Sequence, residues 1–440
     1  MQFTNKQIWQ ITYPVLISLL MEHMIGLTDT AYLGRVGEVE LGASALAGVY
    51  YLVIYMLGFG FSVGAQVLMA RRNGAHDYTR IGPVFMQGSL FLLLLAATLF
   101  TVSHFYSPVI LRKLIGSDDV YHATMSYIDW RVYGFFFSFV AVMFRAFYVG
   151  ITKTKILTAN SVVMVLTNVM LNYVLIFGKF GFPALGIAGA AIASSISEAV
   201  SVLFFIIYTW KKIDYKKYAM FSFTGIDFRM LKQILNVSIW IMVQHGIAFI
   251  GWFIFFVVME HQGERPLAIT NVVRSISSFL FMFVNAFAST SSSLVSNLIG
   301  QGKSDQVMGL CGRMMRLCYF FVLPISALLA LFPDLVLRIY TDNPDLIQSS
   351  IPSLWVMLSS YLLAVPAFIY FFSVSGTGNT QSALLIDMAS IFVYVAYTYF
   401  IGVWLMADVA VCWTTEFAYN GMLLISFFYL WKGNWRNKKI

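Results

Sequence analysis

Charge is what this chain has least of. Of its 440 residues only 11% are charged, whereas 59% are hydrophobic and the mean hydropathy is +0.78. A soluble domain carries about 25% charged residues, so a soluble globule is excluded. Segments of alternating hydrophobicity are lacking too, which excludes an outer-membrane barrel built from ~10-residue strands. Cysteine is scarce: Cys311, Cys318 and Cys412 have neither metal nor redox spacing and read as small core residues. No HExxH and no P-loop occur. The one adjacent acidic pair, Asp118–Asp119, has no second copy to hold a metal diphosphate. An enzyme is therefore not expected, nor is a cofactor. No filter-like sequence suggests a channel. No small-residue cleavage site follows the first apolar run, so that run is expected to remain as a span.

What is present is a series of apolar runs longer than ~20 residues, the length that crosses a bilayer as helix. Twelve are predicted, at 7–33, 42–70, 82–104, 121–149, 157–178, 187–210, 233–259, 267–297, 308–332, 346–372, 382–405 and 409–431. With the N-terminus in the cytoplasm, the cytoplasmic loops and tail hold nineteen Lys and Arg against six on the far side. The positive-inside rule then puts both termini in the cytoplasm. This asymmetry accounts for the net charge of +8 without nucleic acid as a partner. The longest polar connection, 211–232, falls midway and reads as a cytoplasmic linker; its lysines could also meet anionic lipid.

Two halves suggest a duplication. ARRNGAHD (70–77) follows the second run and NLIGQGKSD (297–305) the eighth; pairing Gly74 with Gly302 also pairs Asp77 with Asp305. VGITKTK (149–155) follows the fourth run and SGTGNTQ (375–381) the tenth, pairing Gly150 with Gly376 and Thr154 with Thr380. The expected architecture is all-α and membrane-embedded. It has twelve transmembrane helices in two six-helix lobes, 1–210 and 233–440, joined by 211–232. A pseudo-two-fold axis along the membrane normal relates them, with a cavity between.

Polar groups inside the runs are the candidate sites. A carboxylate at bilayer depth costs about 2.5–3.5 kcal/mol on insertion scales and must face protein or a water-filled cavity. The first run carries Glu22 and Asp29, seven residues apart and near one helix face. Asn168 and Asn172 share a face of the fifth run, and Glu198 sits among small residues in the sixth (ASSISEAV). The second half differs. Gln244 and His245 lie in the seventh run, and Arg274 in the eighth needs a partner, for which Asp387 and Glu416 are available. Arg145, near the cytoplasmic end of its span, is expected to snorkel. Pro14, Pro324 and Pro366 lie within runs and can hinge them.

Several stretches resemble the MATE (multidrug and toxic compound extrusion) family: LTDTAYLGRVG (27–37), RAFYVGITKTK (145–155), LTNVMLNYVLIFGKFGFPALGIAGAAIAS (166–194), and AITNVVRSISSFLFM with SNLIGQGKSD. The resemblance implies a bacterial inner-membrane antiporter, driven by H⁺ or Na⁺, exporting cationic or amphipathic small molecules and acting as a monomer in the bilayer. It also implies that Asp29 of LTDT is the coupling carboxylate. Glu22, Asn168, Asn172 and Glu198 would be neighbours, and Asp29, Asn168 and Asn172 the ligands of any Na⁺. Glu22 departs from the family's neutral residue and could share a proton with Asp29. Aromatic residues 252–256 stand near the second-half counterpart of Asp29, so coupling is expected in the first lobe alone, in the manner of the branch with a single span-one Asp. Gln244, His245 and Arg274 are weaker candidates for the substrate cavity. The alternative is a lipid-linked oligosaccharide flippase of the same superfold, which Arg274 keeps open.

Overall fold

The computed structural model describes residues 3–221, 225–433 and 435–436. All its regular elements are helices. Nine of them span: α1 (Asn5–Leu33), α2 (Glu38–Gly74), α3 (Ile81–Leu114), α6 (Lys155–Phe177), α7 (Gly186–Lys212), α8 (Phe228–Gln262), α9 (Glu264–Gly300), α10 (Val307–Leu331) and α12 (Pro344–Gly376). Between α3 and α6, the fourth expected span is a pair, α4 (Asp118–Arg131) and α5 (Gly134–Gly150), bent by 53°. A short helix α11 (Pro333–Leu337) precedes α12. The eleventh span is α13 (Thr380–Tyr399) closed by a π-helical turn, Phe400–Trp404. The Gly402 carbonyl in that turn accepts a hydrogen bond from Gln262 Nε2 at 2.8 Å, as a carbonyl released from a helix inside a membrane must. The twelfth expected span is not one helix but three, α14 (Val409–Cys412), α15 (Thr415–Leu423) and α16 (Ile425–Lys432).

The duplication holds in the structure, with one correction to its register. After α2 the chain turns through left-handed His76 into a 3₁₀ turn, Tyr78–Arg80. After α9 it turns through left-handed Gly302 into Ser304–Gln306. The hydrogen bonds match as well: Asp77 N to Arg72 O, and Lys303 N to Leu298 O, both 2.9 Å. Thr152 and Gly378 are likewise left-handed after α5 and α12. Each matched pair is 226 residues apart. Gly302 is therefore the counterpart of His76, not Gly74. The sequence alignment matched glycines; the backbone matches left-handed positions, where His replaces Gly at a small steric cost.

The chain forms two compact units, Ile17–Met242 and Met1–Leu16 with Val243–Ile440. The division runs through α1 and α8 rather than through the polar connection. The first turns of α1 belong with the second half: Trp9 stacks on Phe321 at 4.5 Å and 10°, and Arg313 Nη1 donates to the Phe3 carbonyl at 2.6 Å. The start of α8 belongs with the first half, where Ser238 Oγ donates to the Phe61 carbonyl at 3.0 Å. The connection itself is docked on the first unit: Gly82 N donates to Tyr218 O at 2.8 Å and Gln87 Nε2 to Gly225 O at 2.7 Å. In the second unit α9 and α12 pack through small residues. A Cβ on Gly376 would strike the Ser292 carbonyl, and Ser291, Ser292 and Ser293 are buried. Small residues let helix backbones close in where lipid offers no hydrophobic drive.

Candidate coupling and binding sites

Asp29 lies near the end of α1. Its Oδ1 accepts from Asn172 Nδ2 at 2.5 Å and its Oδ2 from Ser194 Oγ at 3.3 Å. Asn172 Nδ2 also donates to Asn168 Oδ1 at 2.9 Å, and Asn168 Nδ2 donates to Ser194 Oγ at 3.2 Å. The i, i+4 spacing on α6 stacks the two amides on one face, and both are fully buried. The Asn172 Oδ1 is buried and accepts no hydrogen bond among the described residues. A carboxylate beside an orphaned amide oxygen is a donor set for a hard cation. The same amide oxygen can accept a hydrogen bond from the carboxyl when it is protonated. The structure thus brings Asp29, Asn168 and Asn172 together, and adds Ser194.

Glu22 and Glu198 are placed elsewhere. Glu22 Oε1 accepts from Arg145 Nη1 at 2.8 Å and from Ser18 Oγ at 3.3 Å. Arg145 does not snorkel; its side chain is only 13% exposed. Glu198 accepts a bidentate pair from Arg131, Nη1 to Oε2 at 2.8 Å and Nη2 to Oε1 at 2.6 Å, and a bond from the Tyr51 hydroxyl at 3.0 Å. The Arg131 guanidinium lies 3.6 Å from the centroid of the Tyr51 ring. Arg131 is the residue that sequence reasoning passed over. It ends α4 at the bend, and Gly134, first in α5, leaves room for it: a Cβ there would strike the guanidinium and the Glu198 carboxylate. Between these pairs is a cavity of about 220 Å³, lined among others by Glu22, Tyr51, Tyr55, Arg145 and Glu198.

The second unit has a cavity of its own, of about 380 Å³. Arg274 lines it and donates from Nη1 to Glu416 Oε1 at 3.1 Å. Of the two expected partners Glu416 is the one used; Asp387 instead accepts from the Tyr419 hydroxyl at 2.9 Å. Gln244 is buried on α8 and His245 is half-buried beside it. The cavity wall includes neither. Charged residues thus line a cavity in each unit. At the 226-residue offset the two cavities are one cavity repeated: Glu22 and Ala248, Ile25 and Gly251, Tyr51 and Ser277, Tyr55 and Phe281, Ser138 and Ala364, Val142 and Phe368 line equivalent places.

The family profile described as MatE matches residues 14–174 and, a second time, residues 241–400. The chain belongs to the MatE family. Its two matched segments repeat the duplication read from the backbone. Among curated MatE relatives, a protein named "Probable multidrug resistance protein NorM" from Thermotoga maritima is 23% identical over 391 residues, 88% of this chain and 83% of that one. Another of that name from Shewanella oneidensis is 25% identical over 394 residues, 88% and 84%. Among solved structures, the outward-facing conformation of a multidrug resistance MATE family transporter of the MOP superfamily superposes with TM-score 0.90 at 18% identity, covering 99% of this chain and 97% of that one. A MOP superfamily transporter from Pyrococcus furiosus gives 0.89 at 18% identity, over 97% and 95%. The fold is the twelve-helix, two-lobe MATE fold, in which the bent pair and the broken helix α14–α16 stand for spans four and twelve. As a MatE member the protein is a transporter and not an enzyme.

Proposed function

We propose that this MatE transporter is a cation-coupled antiporter that exports amphipathic or cationic small molecules, with Asp29 as the coupling carboxylate. The observation that carries this is the company of Asp29. Glu22 and Glu198 are each neutralised by an arginine in direct contact, whereas Asp29 makes no ion pair: its hydrogen bonds come from the neutral Asn172, Ser194 and Asn168, and Arg131 acts on it only from a distance. A carboxylate with a permanent counter-ion has little reason to take up another cation; one held by amides and a hydroxyl does. Asn168 orients Asn172 and, with its own oxygen, completes the ligands a Na⁺ would need. The multidrug names of the relatives support the substrate class. We also place both termini in the cytoplasm, from the charge bias of the loops, and the protein in a bacterial inner membrane, from its bacterial relatives, where it acts as a monomer.

The test is efflux of a cationic dye from vesicles under an imposed Na⁺ or H⁺ gradient, for the wild type and Asp29→Asn. The wild type should respond to one gradient and the variant to neither. Equal gradient-driven efflux in both would refute the assignment. Offering a lipid-linked sugar in place of the dye separates export of amphipathic cations from flippase activity.

A further inference from the structure

The first unit carries positive charge that neither its cavity nor Asp29 uses. Lys153 and Lys155 stand at the turn from α5 to α6, Lys211 and Lys212 at the end of α7, and Lys216 and Lys217 in the connection to α8. All are exposed, and among the described residues none of them makes an ion pair. Of the nearby acids, Asp77 pairs with Arg80 at 3.5 Å, and Asp214 Oδ1 accepts from the Lys217 backbone N–H at 3.1 Å. The lysines are held in place. A Cβ on Gly82 would strike the Tyr218 and Ala219 carbonyls, so the connection lies flat on the start of α3. The buried Tyr218 ring meets Tyr78 and Phe147 edge-on. Two ammonium groups approach it, Lys217 Nζ at 5.6 Å and Lys153 Nζ at 6.0 Å from its centroid. Lys217 Nζ also lies 3.9 Å from the centroid of Tyr78. Aromatic rings and backbone thus hold like charges together, and an anion would relieve their repulsion.

The positive-inside bias does not account for this placement, because it acts on both copies alike. At the 226-residue offset, Arg71, Arg72, Arg80, Lys153 and Lys155 of the first unit face Asn297, Leu298, Gln306, Asn379 and Gln381 of the second. In these turns Lys303, opposite Asp77, is the single exchange in the other direction. The depth of the lysines is set by α7. Along one exposed face of that helix come Leu203, Ile207 and Trp210, the last 64% exposed, and then Lys211. Apolar side chains, an indole and an ammonium in succession mark the passage from acyl chains to headgroups.

We propose that this lysine face of the first unit is a docking surface for anionic phospholipids. Their phosphates sit among the ammonium groups, and their acyl chains lie along the exposed face of α7. Clusters of lysine at the end of membrane spans draw anionic headgroups in this way. The apolar face of α7 commits the surface to lipid, since a soluble polyanion has no use for Leu203, Ile207 and Trp210. The choice of the cytoplasmic leaflet rests on the orientation proposed from the loops; the binding itself does not.

The full chain, purified in dodecylmaltoside and stripped of lipid, is incubated with equimolar phosphatidylglycerol and phosphatidylcholine of identical acyl chains. After gel filtration the co-eluting lipids are quantified by mass spectrometry. The wild type should retain phosphatidylglycerol about tenfold over phosphatidylcholine, the worth of one or two lysines at a headgroup. Salt at about 1 M, which shortens the screening length to ~3 Å, should abolish the preference. Lys153→Gln, Lys155→Gln, Lys216→Gln and Lys217→Gln together should abolish it at low salt. Lys303→Gln, Arg316→Gln, Lys432→Gln and Arg436→Gln together remove the same charge from the second unit and should leave most of it. Equal retention of the two lipids by the wild type, or equal loss in the two quadruple variants, would overturn the proposal. Soluble glycerol phosphate in the column buffer should not displace the retained lipid. Displacement by it would show a site for free phosphates and overturn the assignment to lipid. The wild-type comparison stands even if a variant fails to fold.

Discussion

Glu198→Gln tests how the first unit is held together. The carboxylate receives two bonds from Arg131 and one from Tyr51, and the side chains of the pair are 10% and 15% exposed. Gln keeps the size and one acceptor but leaves the guanidinium without a counter-charge. Removing one partner of a buried pair costs about 3–5 kcal/mol, because the remaining charge stays out of water. The Tyr51 ring over Arg131 acts in both proteins and cancels from the difference, which should therefore lie at about 3–5 kcal/mol. Arg131→Gln with Glu198→Gln removes both charges, and the two amides can bond each other. That variant should recover to within about 1–2 kcal/mol of the wild type, since a neutral replacement of a buried pair is often nearly neutral in stability. The assay is unfolding in mixed micelles by titration with sodium dodecyl sulfate, read as a double-mutant cycle. A single variant within about 1 kcal/mol of the wild type, or a double variant no better than the single, would refute the reasoning.

Other substitutions reach the same network and the helix contacts around it. Gly134→Ala places a methyl against both members of the Arg131–Glu198 pair; it should cost about 1–3 kcal/mol in the same titration, the usual penalty of overpacking. Asn172→Ala removes the donor to Asp29 and should lower gradient-driven efflux by about tenfold, the worth of one hydrogen bond to a charged group. Asn168→Ala, which removes the weakest of the three hydrogen-bonding neighbours of Asp29, should lower it less; the reverse order would contradict the geometry. Gly376→Ala forces α12 away from the Ser292 carbonyl of α9 and should destabilise the second unit by about 1–3 kcal/mol, seen as loss of monodisperse protein on gel filtration after heating.

Asp29 and Asn172 were legible in the sequence because each is a polar residue inside an apolar run, where it must face protein or a water-filled cavity. Arg131 was less visible for a reason of geometry. Read as one straight span, 121–149 places it ambiguously; only the 53° bend at its position turns it toward α7 and Glu198. A signal was available. When Lys and Arg are assigned to loops, three arginines remain inside the spans, Arg131, Arg145 and Arg274. Three glutamates also remain, Glu22, Glu198 and Glu416. The need of each buried charge for a partner predicts three pairs, and the structure makes them. Which arginine takes which glutamate depends on helix packing, and no spacing rule within one helix supplies that. The twelfth span shows a different limit: its hydropathy is that of a continuous helix, and the interruption after Cys412 has no proline or glycine to announce it, whereas Gly421 stands two residues ahead of Leu423, where the second interruption begins.

The pairing also explains why Asp29 stands apart. A duplicated carrier inherits the same cavity twice, and the line of matched wall residues, Tyr51 with Ser277 and Tyr55 with Phe281, records that descent. After duplication each copy is constrained only by what its own charges require. In the first unit two acids were matched by two arginines, which leaves a third acid, Asp29, with hydrogen bonds but no counter-ion. In the second, Phe255 stands 226 residues after Asp29 and Ala248 after Glu22. With those acids absent, Arg274 is matched to Glu416, and the second unit's remaining buried acid, Asp387, accepts from the Tyr419 hydroxyl. The two copies thus reach one balance with different residues: each arginine inside the spans has a glutamate, and an aspartate in each copy is left with hydrogen bonds in place of an ion pair.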